Sequence, residues 1–286
     1  MKFGPAGNSD IFYSEGHTSS AEAPKWLFER GLDLYEYSFG RGIRIGADHA
    51  SSISEEARNY NIEISVHSPY YINFASENPE NIVKSVDYML SSLEHLKLLG
   101  GNRCVVHPGS PSKQSREVAM DRLITNFEKL AEIIILNKYD DCLICPETMG
   151  KVNQMGSIDD IMKLCQIADF YVPCIDFGHI NSRYNGYFKT ADNYRSFFDL
   201  LFKSVGEVKG RKIHMHFSKI EYGNSGEIRH LQFDDTKYGP FFEQLAPVLV
   251  EYGINGNLIC ESKATQAEDA RIMKDLYEGL AYVNER

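Results

Sequence analysis

A single closed (β/α)8 barrel spanning residues 1–286 is the fold the sequence predicts, and three observations predict it. Short β-rich runs alternate with helical patterns from end to end. No Pro-, Ser- or Gly-rich linker divides the chain, and each run from the third to the eighth finishes on a residue able to hold a metal. A barrel of this kind commonly fills such a length as one domain, with an open doubly wound sheet as the alternative.

The expected strands, in order, are KFGPAG (2–7), LDLYEYSF (32–39), IEISVHS (62–68), RCVVHPG (103–109), DCLICPET (141–148), YVPCIDFG (171–178), KIHMHFS (212–218) and NLICES (257–262). They are rich in β-branched and aromatic residues and are bounded by Gly, Pro, Ser or acidic residues. The clearest helix between them is 81–101, where Ile82, Val86, Met89, Leu90, Leu93 and Leu96 recur at helical spacing before a glycine stop. The stretch 116–138 repeats the pattern.

Composition narrows the class. Apolar residues at 43% and charged residues at 24% are ordinary globular values. No apolar run reaches the roughly 20 residues of a membrane span, and the opening MKFGPAGNSD lacks a signal-peptide pattern, so a soluble cytoplasmic protein is expected. The six cysteines sit mostly in apolar strand-like runs, as reduced buried thiols do. Cys142 and Cys145 form a CxxC, yet in a strand they face opposite ways and cannot chelate together. A net charge of −10 argues against nucleic-acid binding over the whole surface, but not against a local footprint.

The strand ends carry the chemistry. His67, His107, Glu147, Asp176, His216 and Glu261 close six consecutive strands, although Asp, Glu and His together occupy only about one position in six. Several carboxylates converging on one rim without a counter-charge would be costly, which points to bound cations. Imidazole and carboxylate ligands suit Zn²⁺ or Mn²⁺ better than Mg²⁺. Further ligand types follow the strands: His179 after the sixth, and Glu227 and His230 in the loop EYGNSGEIRHL after the seventh. Two residues before the rim, Ser65, Val105, Cys145, Cys174, His214 and Ile259 read as a packed interior layer, with His214 a satisfied interior histidine.

The motifs HSPYYIN (67–73), VVHPG (105–109), CPET (145–148), IDFGHIN (175–181), HMHFSK (214–219) and ICES (259–262) resemble the endonuclease IV family of apurinic/apyrimidinic endonucleases. The resemblance implies a TIM barrel holding three zinc ions, with Mn²⁺ an alternative at one site, that cleaves double-stranded DNA 5′ to abasic sites in base excision repair. It implies one zinc on His67, His107 and Glu147, and a second on Asp176, His216 and Glu261 with Glu147 bridging. The third would use His179 and His230. Glu147 would also orient the attacking hydroxide, and Tyr70 would help hold the distorted DNA. The family's third-site loop usually carries Asp-x-His, whereas here Ile228 stands two before His230, so Glu227 is the expected replacement ligand.

Three zinc ions would move the formal charge from −10 to about −4, with the added charge on one rim. Basic loop residues, among them Arg41, Arg183 and Lys219, could meet phosphates on that face. No membrane partner is expected, and the chain is expected to be a monomer. The rival reading is a sugar isomerase or epimerase of the xylose-isomerase-like class, which would use Glu147, Asp176, His216 and Glu261 for one divalent metal. It leaves His67, His107, His179 and His230 unexplained.

Overall fold

Eight parallel strands close the barrel in the computed structural model, which describes residues 1–284. They are β1 (Lys2–Pro5), β2 (Leu34–Ser38), β3 (Glu63–His67), β4 (Arg103–Val106), β5 (Leu143–Pro146), β6 (Cys174–Asp176), β7 (His214–Phe217) and β10 (Asn257–Cys260). Between β7 and β10 an antiparallel hairpin, β8 (Ile220–Gly223) and β9 (Gly226–His230), rises over the rim. The barrel strands are shorter than the sequence runs; His67, Asp176 and His216 stay within them, whereas His107, Glu147 and Glu261 follow one residue after theirs.

The strands pair as two four-stranded halves, β1-β10-β7-β6 and β2-β3-β4-β5. Isolated bridges join them, Ala6 to Glu36 on one side, and Ile144 to Tyr171 and Glu147 to Cys174 on the other. At the first seam the backbones come very close: a Cβ on Gly4 would lie 2.0 Å from the carbonyl oxygen of Leu34, so only glycine fits.

The two long helices lie where their periodicity puts them, at Pro79–Leu98 and Arg116–Leu136. Each begins at a side-chain cap: Asn78 accepts from the Glu80 amide at 2.9 Å and Ser115 from the Val118 amide at 3.3 Å. The first buries Met89, Leu93 and Leu96 against the barrel, roughly 1.5–3 kcal/mol for each such side chain. Its chain then reverses at Gly100, whose φ is +74°.

Helices and strands enclose one large outer core, and a smaller cluster of Val105, Cys145, Val172 and Cys174 fills the barrel interior. Cys142 belongs to the outer core and Cys145 to the inner, so the CxxC is split across the sheet. All six cysteines are free and buried. Among the described residues no helix is long and apolar enough to cross a membrane.

Two local differences from the sequence reading bear on the site. Residues Phe177–Arg183 are helical from the residue after β6. Asp176 starts that helix, its Oδ1 accepting from the His179 amide at 2.7 Å. The segment read as a loop after β7 is the β8–β9 hairpin, with a register shift between Glu221 and Tyr222.

Candidate metal centre

The C-terminal ends of six barrel strands bring His67, His107, Glu147, Asp176, His216 and Glu261 together. Asp176 and His216 are register partners on β6 and β7. Glu147, one residue past β5, is buried and divides its carboxylate between two groups. Its Oε2 lies 3.2 Å from His67 Nε2 and 2.9 Å from His107 Nε2. Its Oε1 lies 3.2 Å from His216 Nδ1 and 3.3 Å from His179 Nδ1. Glu261 Oε1 completes the second side, 3.4 Å from His216 Nδ1.

Among the described residues, three clusters at the rim have ligand atoms all within 4.8 Å of one another: His67, His107 and Glu147; Glu147, Asp176, His216 and Glu261; and His179, His230 and Glu261; a fourth, of Cys174, His214 and His216, lies below them. Glu227 stands at the third, its Oε2 3.5 Å from His179 Nε2 and its Oε1 3.8 Å from His230 Nε2. Ile228 is the unpaired extra residue of a bulge, skipped where Glu221 pairs with Arg229 and Tyr222 with Glu227; it stands out in solvent, while Glu227 and His230, three apart, both reach the site.

The hairpin reaches this position through two glycines. A Cβ on Gly226, where φ is +88°, would lie 2.1 Å from the Gly150 carbonyl oxygen. One on Gly150 would press within 2.9 Å of both Glu227 Oε2 and His179 Cδ2. The Glu227 amide then donates to the Gly150 carbonyl at 3.2 Å.

Carbonyls behind the rim orient three imidazoles. Nδ1 of His67 bonds the Ser68 carbonyl at 2.9 Å, that of His179 the Thr148 carbonyl at 2.9 Å, and that of His230 the Glu261 carbonyl at 3.1 Å. Nε2 of each is left for the cavity, as in metal sites where an outer acceptor fixes the tautomer.

The electrostatics are those of buried carboxylates and imidazoles crowded together. Burial pushes Asp176 up to about 6, against the pull of His179 and with the repulsion of Glu261 and Glu147. Burial would also lower His67, but its bond to Glu147 prevails and lifts it to about 9. Glu261 falls to about 2 because His216 beside it outweighs burial. In a metal-free protein, protons on imidazole supply the positive charge these carboxylates require.

Asp176 Oδ2 tests the fit of a metal directly: it is buried in the second cluster, makes no aligned hydrogen bond, and has only His179 Nδ1, itself bonded to the Thr148 carbonyl, at 3.1 Å. An all-nitrogen and oxygen donor set around such an acceptor fits a divalent cation of the zinc or manganese type.

His67, His107, Glu147, His179, Glu227, His230 and Glu261 line a cavity of about 470 Å³, together with Tyr70 and Lys151, while Asp176 and His216 lie buried behind it. Tyr70 is half exposed and packs on Tyr71, ring centroids 4.3 Å apart. Arg41 is exposed and lies outside the residues lining the cavity.

Two expected phosphate contacts are corrected. Arg183 is buried, and its guanidinium donates to four backbone carbonyls: Met149 (3.2 Å), Lys151 (2.6 Å), Val152 (3.1 Å) and Gln154 (3.1 Å). Lys219 is buried as well, its Nζ held by the carbonyls of Phe233 and Asp235 and covered by the Phe233 and Phe241 rings. Both side chains fasten loops and present no free charge to the rim.

One residue of the site escaped the sequence reading. Glu36 is buried in the middle of β2 and contacts Ser65, His214 and His216. The available signal was an acidic residue in an apolar strand, two positions before the rim.

Fold and rim together define an α/β barrel whose strand ends carry clusters of side chains that could hold metals. The sequence profile described as xylose isomerase-like TIM barrel matches residues 24–282, and the chain belongs to that family. It is 32% identical to an uncharacterized protein of Methanocaldococcus jannaschii over 92% of this chain and 96% of that one. It is 28% identical to a probable endonuclease 4 of Cenarchaeum symbiosum, covering 68% and 72% of the two chains. Among solved structures, a D-tagatose 3-epimerase-like protein superposes with a TM-score of 0.74 at 19% identity, both chains covered in full. Endonuclease IV from Thermus thermophilus does so at 0.70 and 17%, over 98% and 100% of the chains.

Proposed function

We propose that the chain is a DNA-repair phosphodiesterase that cuts the backbone 5′ to abasic sites, using a trinuclear centre of zinc, with manganese as an alternative at one site. The observation that carries this reading is the division of Glu147, one carboxylate oxygen toward His67 and His107 and the other toward His216 and His179. A bridging carboxylate between two histidine-bearing groups is the arrangement of a multinuclear site. The probable endonuclease 4 relatives support the choice of DNA.

Bound divalent cations would supply Lewis acidity and make water nucleophilic near neutral pH. The chain's own residues do the positioning. Glu147, pinned between two pairs of imidazoles, orients the attacking water; His67 and His107 on one side and Asp176, His216 and Glu261 on the other hold the two cation positions. His179, His230 and Glu227 form the third, where a phosphate oxygen would be neutralised. Tyr70 offers an aromatic face at the mouth for a displaced nucleotide. Selectivity for an abasic nucleotide follows in part from the lower cost of extruding it.

Elemental analysis of gently purified protein is expected to find close to three zinc or manganese ions per chain. Duplex DNA with one abasic site should be nicked 5′ to the lesion, and a chelator should suppress the reaction. Intact activity in both His67→Ala and His107→Ala would reject the assignment. The quartet of Glu147, Asp176, His216 and Glu261 is complete in itself and favours a second reading, sugar isomerisation or epimerisation on one metal. One ion per chain, turnover of a ketose and untouched DNA would move the assignment there.

The third position has its own test. Gly150→Ala forces a Cβ against Glu227 and His179 and is expected to remove about one metal equivalent while leaving the other two. Metal content and thermal melting measured on the same preparation distinguish this from general destabilisation.

A further inference from the structure

Below the rim, the barrel interior holds a polar layer that the proposed chemistry does not use. Glu36, Ser65 and His214 are all buried there. Glu36 and Ser65 are register partners on β2 and β3, and the Ser65 hydroxyl donates to Glu36 Oε2 at 2.7 Å. His214 Nε2 lies 2.9 Å from the same oxygen. Two donors on Oε2 fix the plane of the carboxylate and leave Oε1 as its free acceptor.

That oxygen stands 2.9 Å from Nε2 of His216, at hydrogen-bond distance though not in hydrogen-bond alignment. Both atoms are buried and neither has an aligned partner; each stands closest to the other's charge, with the Cys174 thiol beside the same ring. On the far edge of the same ring, Nδ1 faces Glu147 Oε1 and Glu261 Oε1. A carboxylate on one imidazole nitrogen and a cation position on the other is how an outer acceptor selects the ligand atom of a histidine.

We infer that Glu36, held by Ser65 and His214, is the positioning residue of His216: it keeps the proton on Nε2 and turns Nδ1 to the cation. This inference rests on the metal reading of the rim. It assigns work to three interior residues that touch neither substrate nor cation. The same region permits one competing arrangement, since Cys174, His214 and His216 also offer ligand atoms within 4.8 Å of one another.

Cadmium-113 bound to the full-length, ¹⁵N-labelled chain tests the inference by NMR, with the His216 signals assigned by their loss in His216→Gln. The expected result is coupling of the metal to Nδ1 of His216, with Nε2 protonated. Glu36→Gln is expected to weaken cadmium binding at this position about 10–100-fold, while the His67 and His107 position keeps its affinity. Ser65→Ala should act in the same direction and less strongly.

Coupling through Nε2, or a cadmium shift in the thiolate range from Cys174, overturns the inference while leaving the metal reading intact. A folded Glu36→Gln protein with unchanged affinity at both positions overturns it too. Should Glu36→Gln fail to fold, the coupling pattern of the unaltered chain decides alone. Absence of any bound cadmium removes the metal reading, and the inference with it.

Discussion

Glu147→Gln is expected to lower cleavage of abasic DNA by on the order of 10²–10³-fold or more, comparable to or beyond the removal of one preorganised catalytic donor. The size follows from geometry. Both carboxylate oxygens are committed, one to each cation group, and an amide offers only one oxygen in place of two. The NH2 of glutamine would face either two imidazoles or the His216 and His179 pair, where a cation should be. Metal analysis should therefore show loss from both positions together, in contrast to His107→Ala, which should empty mainly one. A variant that loses activity with full metal content would instead assign Glu147 to water orientation alone.

Arg183→Met is expected to cost roughly 3–5 kcal/mol of stability, because four carbonyls lose a charged donor in a buried setting. For a domain of this size, that corresponds to a fall in Tm of roughly 5–15 °C. The clamped segment includes Gly150, on which the β8–β9 hairpin is seated, so the third metal equivalent should be lost as well. Arg183→Lys should recover only part of the stability, since an ammonium cannot reproduce the planar fork. A phosphate-binding arginine would behave in the opposite way, with weaker DNA binding at an unchanged Tm.

The contrast between these two residues shows what the sequence could and could not reveal. Glu147 was legible because barrel chemistry gathers at strand ends, and because ligand-type residues there repeat once per βα unit. The helix at 79–98 was legible from its apolar spacing and its glycine. Arg183 was not, since a basic residue after a strand is exposed by default, and only the fold reveals four carbonyls converging on it. Lys219 misled for the same reason.

Glu36 was hidden because it lies inside its strand, and β2 ends on Ser38, which offers no metal ligand of the usual kind. The helix after β6 was hidden by its shortness and by Gly178, although Asp176 is a recognised starting residue. The hairpin was hidden by strands of only four and five residues around a Gly-rich turn. Glu227, by contrast, was legible from its residue type in the loop after the seventh strand and from the family's Asp-x-His pattern, and the bulge at Ile228 supplies the reason why residue 227, and not 228, meets His230.

The two half-barrels give the rim a mechanical meaning. His67, His107 and Glu147 all come from β3, β4 and β5 in one half, whereas Asp176, His216 and Glu261 come from β6, β7 and β10 in the other. The halves meet between β5 and β6 through isolated bridges, one of them formed by Glu147 itself. A cation shared across Glu147 would thus act as a rivet through the seam, and part of its binding free energy would become resistance of the barrel to opening. Chelation should loosen the joint before it loosens either half, so that the Thr148 amide, which bridges to Cys174, exchanges with solvent sooner than the amides within β3 and β4.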